Sequence, residues 1–400
     1  MQRIRMSLPY FEKYGWKSEV ISVSEVYVDG FIEKDLLETI PNNIKIHKTK
    51  AFKKELTGLI GVGSIAIRSI YHVYKKGCEV LKSGKFDLVF FSTSNFHICS
   101  LGPIWKKKFN IPFIIDFQDP WYYLNDNKNA SLKDKFSDFV HKRIEKFTVP
   151  DSDGIISVSK AYINNLNFRY KQLASKPAAV INFGNSERDF VILNQKKVGS
   201  FSLDANKINV IYPGALTPKF LTVIRSFFHV FLDSDLEREN YKFYFIGTSY
   251  FKKGSGLLSD LISELNLKDL VIEHPGRISY FQTLATMKSA DILFLPGSLD
   301  GDYNPSKICN AIMSGTSIFA VFNERSIVHE LINSSGAGIS ISFSSKESTE
   351  ILYEKIKSKM SEFGSLHNRA KNGSNDFLKK YETKELTKQL CDFFDNVVAK

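Results

Sequence analysis

Residues suited to holding an anion recur behind apolar runs in the second half of this 400-residue chain. The segment YPGALTPK sets Gly214 directly after such a run, with Lys219 in the same loop. A glycine lets backbone approach a ligand closely, and a lysine neutralises phosphate charge. FIGTSY closes a second run with Gly247, and HPGRIS closes a third with Gly276 and Arg277, the arginine suited to a base or a phosphate. The fourth segment is NPSKICNAIMSGTSIFAVF. There Asn304 is a good N-cap, Pro305 fits the first helical turn, and Gly315 can end the helix with positive φ. Ser306 and Lys307 would then stand beside free N–H groups at a helix N-terminus, where anions bind. Each segment alone also describes a plain strand-to-helix turn. Together they point to a nucleotide.

The first half holds a different set. IPFIIDFQDPWYYLND places Asp116, Gln118, Asp119, Pro120 and Trp121 at and just beyond the end of a buried run. Two carboxylates beside an aromatic suit sugar hydroxyls and a stacked ring. The alternative is that Asp119 caps a turn fixed by Pro120 while Trp121 fills the core. Ser157 and Ser159 in SVSKAY read as the start of a helix, and His97 is a minor candidate. Asp300-Gly301-Asp302 has a metal-binding look but reads better as a solvated turn, and the eight histidines show no ligand spacing. No metal is expected. The chain has no Walker lysine motif, no Gly-x-Ser-x-Gly and no complete Gly-x-Gly-x-x-Gly.

Twelve short β-rich runs must carry these residues. In the first half they span 20–23, 44–47, 88–92, 113–117, 154–158 and 179–183. In the second they span 210–213, 243–247, 271–274, 292–296, 318–322 and 338–341. Several are continuously apolar, as strands covered on both faces should be, and helical stretches separate them. That alternation predicts an α/β fold: two Rossmann-like domains whose parallel sheets face a central cleft, with ligands at the carboxyl ends of strands. Composition puts an N-terminal domain at 1–193, a polar linker at 194–207 and a nucleotide-binding domain at 208–380. An amphipathic tail helix at about 381–400 would pack back on the first domain.

The bulk composition narrows the partners. Fifty-four basic against 43 acidic residues leave a net charge of +11, which favours an anionic partner. No nucleic-acid-binding motif accompanies the lysines, so nucleic acid is not expected. The four cysteines are scattered without Cys-x-x-Cys, which fits a reducing cytoplasm. No apolar run reaches the roughly 18 residues of a spanning helix. The stretch 51–76, apolar with lysine pairs at both ends, suits either an interfacial helix or one packed on the first sheet.

The chain resembles bacterial glycosyltransferases of the GT-B fold, of the retaining, glycosyltransferase-4-like kind, over nearly its whole length. The marks are QRIRMSLPYFEKYGWKSEVISV, the segment ending IIDFQDPW, and INFGNSERDF in the first half, then YPGAL, ADILFLPG and NPSKICNAIMSG. The resemblance implies transfer of a sugar, of hexosyl type, from a nucleotide diphosphate sugar to a saccharide or lipid-linked acceptor. It implies no metal and no cofactor beyond that donor. Its setting is cell-surface polysaccharide assembly, such as lipopolysaccharide or capsule, in the cytoplasm or peripherally on an anionic inner membrane face. It places Gly214 and Lys219 near the diphosphate, Gly247 in the donor site and Arg277 near the base. The helix from Pro305, with Ser306 and Lys307, would face the diphosphate and sugar, and Asp116 and Asp119 the acceptor side. Where the family carries a pair of glutamates this chain has Asp302 and Asn310, and a frequent arginine is Ala215. The family's first strand and Gly-rich loop have no counterpart, so the first strand is expected to be missing from the N-terminal domain. Two alternatives keep the fold: a nucleotide-sugar epimerase, and a non-catalytic binding partner.

Overall fold

Each of the twelve runs lies at least in part on a strand. The computed structural model describes residues 2–28, 32–58, 63–122, 131–249, 256–299, 301, 303, 305–369 and 376–399. The strands are β1 (Glu19–Val23), β2 (Lys45–Thr49), β3 (Val89–Ser92), β4 (Phe113–Phe117), β5 (Gly154–Ser157) and β6 (Ala178–Val180). They continue with β7 (Ile208–Pro213), β8 (Tyr241–Ile246), β9 (Val271–His274), β10 (Ile292–Pro296), β11 (Ser317–Asn323) and β12 (Gly338–Phe343). β4 and β11, whose runs are continuously apolar, are buried along their whole length, whereas β1, β2 and β6 are partly exposed. Every ladder between them is parallel. The chain forms two units, one of residues 1–182 with 383–400, the other of 183–382.

In the first unit β3-β4-β5-β6 form one sheet and β1-β2 a separate pair. No ladder joins β1 to β3 among the described residues, although the two share the same cores. Ile21, Val23, Val89 and Phe91 lie in one apolar cluster, and Val20, Leu88 and Phe90 in another. The interruption falls where a first strand is expected to be missing. The tail helix Thr383–Val398 covers one face, burying Leu386, Leu390, Phe393, Phe394 and Val397 against Leu8, Phe11 and Ile114. Trp16 Nε1 donates to Asp395 Oδ1 at 3.0 Å and holds it there. The lysine-flanked stretch supplies the helix Ile65–Ser83, whose Val73 is buried and whose Ile70 packs on the core. Among the described residues no helix is long and apolar enough to cross a membrane.

In the second unit the strand order is β12-β11-β10-β7-β8-β9. The helix Leu221–Asp233 lays Phe227, Phe228 and Phe231 on this sheet, where they meet Phe243, Phe294 and Phe363. Phe227 is fully buried, with its ring centroid 4.3 Å from that of Phe294. The division after Asn182 differs from the linker expected at 194–207, because residues within that polar stretch and before it are not slack chain. Glu187–Lys196 is a helix capped by Ser186, and Tyr280 O–H donates to its Asp189 at 3.0 Å, fastening it to the second unit.

Phe227→Ala removes an aromatic from the centre of this cluster and leaves a cavity. The expected loss is about 3–5 kcal/mol, read as a lowered urea midpoint for the second unit's transition.

Candidate functional site

The second unit's strand order reverses between β7 and β10, so the loops behind these neighbours leave in opposite directions and open a crevice at their carboxyl ends. Four of the anion-suited segments follow strands of this sheet. Lys307 spans the crevice: its Nζ donates to the carbonyl of Pro213, the last residue of β7, at 2.9 Å. That bond holds the ammonium beside Gly214. From the other side, the Leu299 N–H donates to the carbonyl of Lys219 at 3.1 Å, tying the loop after β10 to the loop after β7. Lys219 itself is exposed, on the turn Pro218–Phe220 whose Phe220 is buried in the core.

Backbone pairing continues past the strands and sets the glycines. Gly214 N–H donates to Ile246 O at 2.9 Å, and Leu216 N–H to Thr248 O at 2.9 Å. Gly247 has φ +73° while its N–H reaches His274 O at 2.8 Å, a conformation a side chain would strain. A Cβ on Gly247 would lie 3.9 Å from Arg277 Cα, so the loops after β8 and β9 lie together and present exposed Arg277. Gly297, after β10, is a requirement that reading for anion contacts passed over. A Cβ there would come within 2.7 Å of Val321 O and 2.8 Å of Phe322 Cα, so only glycine permits the close approach to β11. Its Pro-Gly position behind an apolar run was the available signal.

The helix of the fourth segment is shorter than its pattern suggests. It runs Ile308–Met313, with Lys307 at the cap position and Ser306 exposed in a preceding turn. Pro305 therefore does not open the helix; its carbonyl accepts the Ile308 N–H at 3.3 Å, closing a turn ahead of it. Gly315 has φ +79° and hands the chain to β11, as expected. Asp302 and Asn304 lie outside the described residues. Asn310 is buried, donating from Nδ2 to Tyr280 Oη at 3.3 Å, and Tyr280 donates onward to Asp189 Oδ2. Asn310 Oδ1 accepts no hydrogen bond among the described residues. Asp189 and Tyr280 had no individual sequence signal beyond INFGNSERDF, because their partner lies far along the chain.

In the first unit the carboxylates at the end of β4 separate. Asp116 is fully buried; its Oδ2 lies 3.1 Å from Arg3 Nε in an ion pair and accepts from Ser92 Oγ at 2.7 Å and Gln118 Nε2 at 2.8 Å. Arg3 also donates to Ile181 O, so four elements meet at this cluster. Asp119 is exposed, and desolvation by the protein around it raises its carboxyl above the usual range. Trp121 is buried and stacks on Phe96, with ring centroids 5.2 Å apart, so it fills the core. Ser159 caps the helix Lys160–Arg169, as read. His97 is buried against His141 at 4.5 Å between ring centroids; burial, then the neighbouring imidazole, push it down to about 4. All four cysteines are buried and free. Among the described residues no group of three His, Cys, Asp or Glu side chains is placed to hold a metal.

No family model matches the sequence, and no curated protein matches it. Solved structures do match. Sucrose-phosphate synthase from Thermosynechococcus elongatus aligns over 100% of this chain and 92% of its own, with a TM-score of 0.63 at 12% identity. Anabaena HepE in complex with UDP-glucose aligns over 94% and 99%, with a TM-score of 0.58 at 15% identity. A glycosyltransferase from Rickettsia africae aligns over 99% and 94%, with a TM-score of 0.58 at 13% identity. At these identities the likeness is one of fold. The chain has the two-domain, parallel-sheet α/β fold of GT-B glycosyltransferases.

Two outcomes test this geometry. Gly297→Ala should lower the melting temperature, since the clash with Val321 O and Phe322 Cα displaces the end of β10. For His97, the unfolded imidazole takes up protons near 6.5 and the folded one only near about 4. Stability should therefore fall as pH drops through that interval, and His97→Gln should flatten the fall in a melting-temperature series.

Proposed function

We propose that this protein is a glycosyltransferase that moves a sugar from a nucleotide diphosphate sugar to a saccharide or lipid-linked acceptor. The observation that carries the reading is Lys307 held on the end of β7, beside Gly214, at the sheet's switch point. HepE, similar in fold, was solved with UDP-glucose. In sugar transfer the C1–O bond to the diphosphate breaks through an oxocarbenium-like state, and negative charge collects on the leaving group. Fixed cations and N–H donors stabilise that charge most when they are in place beforehand. Lys307 and Lys219 take that role without a metal, with Gly214 and Gly247 admitting the phosphates. Ser306 adds a hydroxyl at the diphosphate, and Arg277 faces the base. Asn310 stands beneath the ribose end through Tyr280.

On the first unit, Asp119 at the surface receives the acceptor hydroxyls. Asp116, buried behind it, positions Gln118 and the loop that carries Asp119. The acceptor's setting is cell-surface polysaccharide assembly, with the protein in the cytoplasm and held peripherally at an anionic membrane face.

A thermal-shift screen of nucleotide diphosphate sugars should find a donor that raises the melting temperature. With that donor and an acceptor, Lys307→Ala should lower turnover by about 100-fold while the melting temperature without donor stays near that of the parent. Unchanged turnover removes Lys307 from the chemistry. Product formed from donor alone, without acceptor, indicates an epimerase instead.

A further inference from the structure

The helix Leu132–Thr148 in the first unit carries an exposed aromatic stripe that neither the cores nor the candidate site uses. Phe136 is 69% exposed, Phe139 54% and Phe147 55%. At about 100° per residue, Phe136 and Phe147 lie within roughly 20° of each other and Phe139 roughly 60° to one side. Arg143 stands between them on the same face, its guanidinium 5.0 Å from the Phe139 ring centroid. Lys135, Lys142 and Lys146 are exposed and form one row along the flank of the stripe.

The opposite side of the helix is tied down. Glu145 is fully buried and paired with Arg169 Nε at 2.9 Å, and Thr148 is buried beside it. The helix cannot roll its phenylalanines inward without exposing that ion pair. Its acidic residues are also gathered: Asp134, Asp138 and Glu145 fall within roughly 20° of the direction opposite Phe136.

We infer that this face docks on an anionic lipid bilayer, with the phenylalanines at the acyl boundary and the lysine row at the headgroups. Aromatics on one face with lysines along its edge are the pattern of a helix lying in a membrane interface. The lysine row complements an anionic surface, and the chain's +11 net charge acts in the same direction. A second copy docked antiparallel would bring the two lysine rows onto the same side of the contact. Protein-interface cores are moreover depleted in lysine. The inference deepens the peripheral-membrane part of the proposed function and rests on it. It moves the contact from the stretch 51–76, whose helix packs on the core, to this helix.

The test is co-sedimentation of the full chain with vesicles of phosphatidylcholine alone and of phosphatidylcholine mixed with phosphatidylglycerol. The parent should bind the anionic vesicles at least about tenfold better, and added salt should weaken the binding. Phe136→Ser, Phe139→Ser and Phe147→Ser combined should abolish it, and Lys135→Glu, Lys142→Glu and Lys146→Glu combined should do the same. Both variants should keep the parent's melting temperature and its shift with donor, so loss of vesicle binding separates from failure of the transferase reading. Equal binding to both vesicle types overturns the inference, as does binding that survives in whichever variants fold. A concentration-dependent dimer in size-exclusion chromatography that the phenylalanine variant removes assigns the face to a second copy instead.

Discussion

The second unit depends on one constraint: all six of its strands run the same way. Parallel strands need crossover connections, so every strand ends on the same edge of the sheet and hands its chain to a loop there. The order β12-β11-β10-β7-β8-β9 then places β7 and β10, the first strands of the two halves of the winding, side by side with their loops parting. Lys307 bridges that parting by its bond to the Pro213 carbonyl, and Leu299 bridges it again through Lys219. Two hydrogen bonds to β7-side carbonyls thus frame the crevice. The glycines around it follow from the same geometry, since the backbone ladder runs on beyond the strand ends and leaves no room for a Cβ at Gly297.

The first unit is organised around a buried charge pair rather than a crevice. Arg3 and Asp116 meet under side chains that are almost wholly shielded from water. Desolvating two charges is costly, and the pair holds because Ser92, Gln118 and the Ile181 carbonyl supply further hydrogen bonds. It binds the first helix, Gln2–Ser7, to the ends of β3 and β4. The interruption between β1 and β3 makes this tie more important, because among the described residues no ladder joins those strands and they share apolar clusters on both faces.

Much of the fold was legible in single runs of sequence. FIIDF and SIFAVF are apolar without alternation, a local property that survives into strands buried on both faces. The Ser-Gly stop at Gly315 was legible because positive φ is a property of one residue. The start of the same helix was not. Asn-Pro-Ser has cap chemistry, but the Ile308 N–H closes a turn on the Pro305 carbonyl, and the helix begins at Ile308. The segment 194–207 is polar, yet the preceding helix belongs to the second unit because Tyr280 reaches Asp189 from 91 residues away. The phenylalanines of Leu132–Thr148 share one helix face, and nothing in their spacing says whether it is buried. Only the buried Glu145 on the opposite side shows which way the helix is turned.

The sequence by itself determined the α/β class, the twelve strands and the candidate residues at the ends of several of them, because these are encoded by neighbours in the chain. Tertiary structure alone decided which carboxylate is buried, which asparagine joins a polar chain and which lysine clamps a strand end. Those outcomes depend on contacts between residues distant in sequence, and single-residue chemistry cannot specify a partner it does not adjoin.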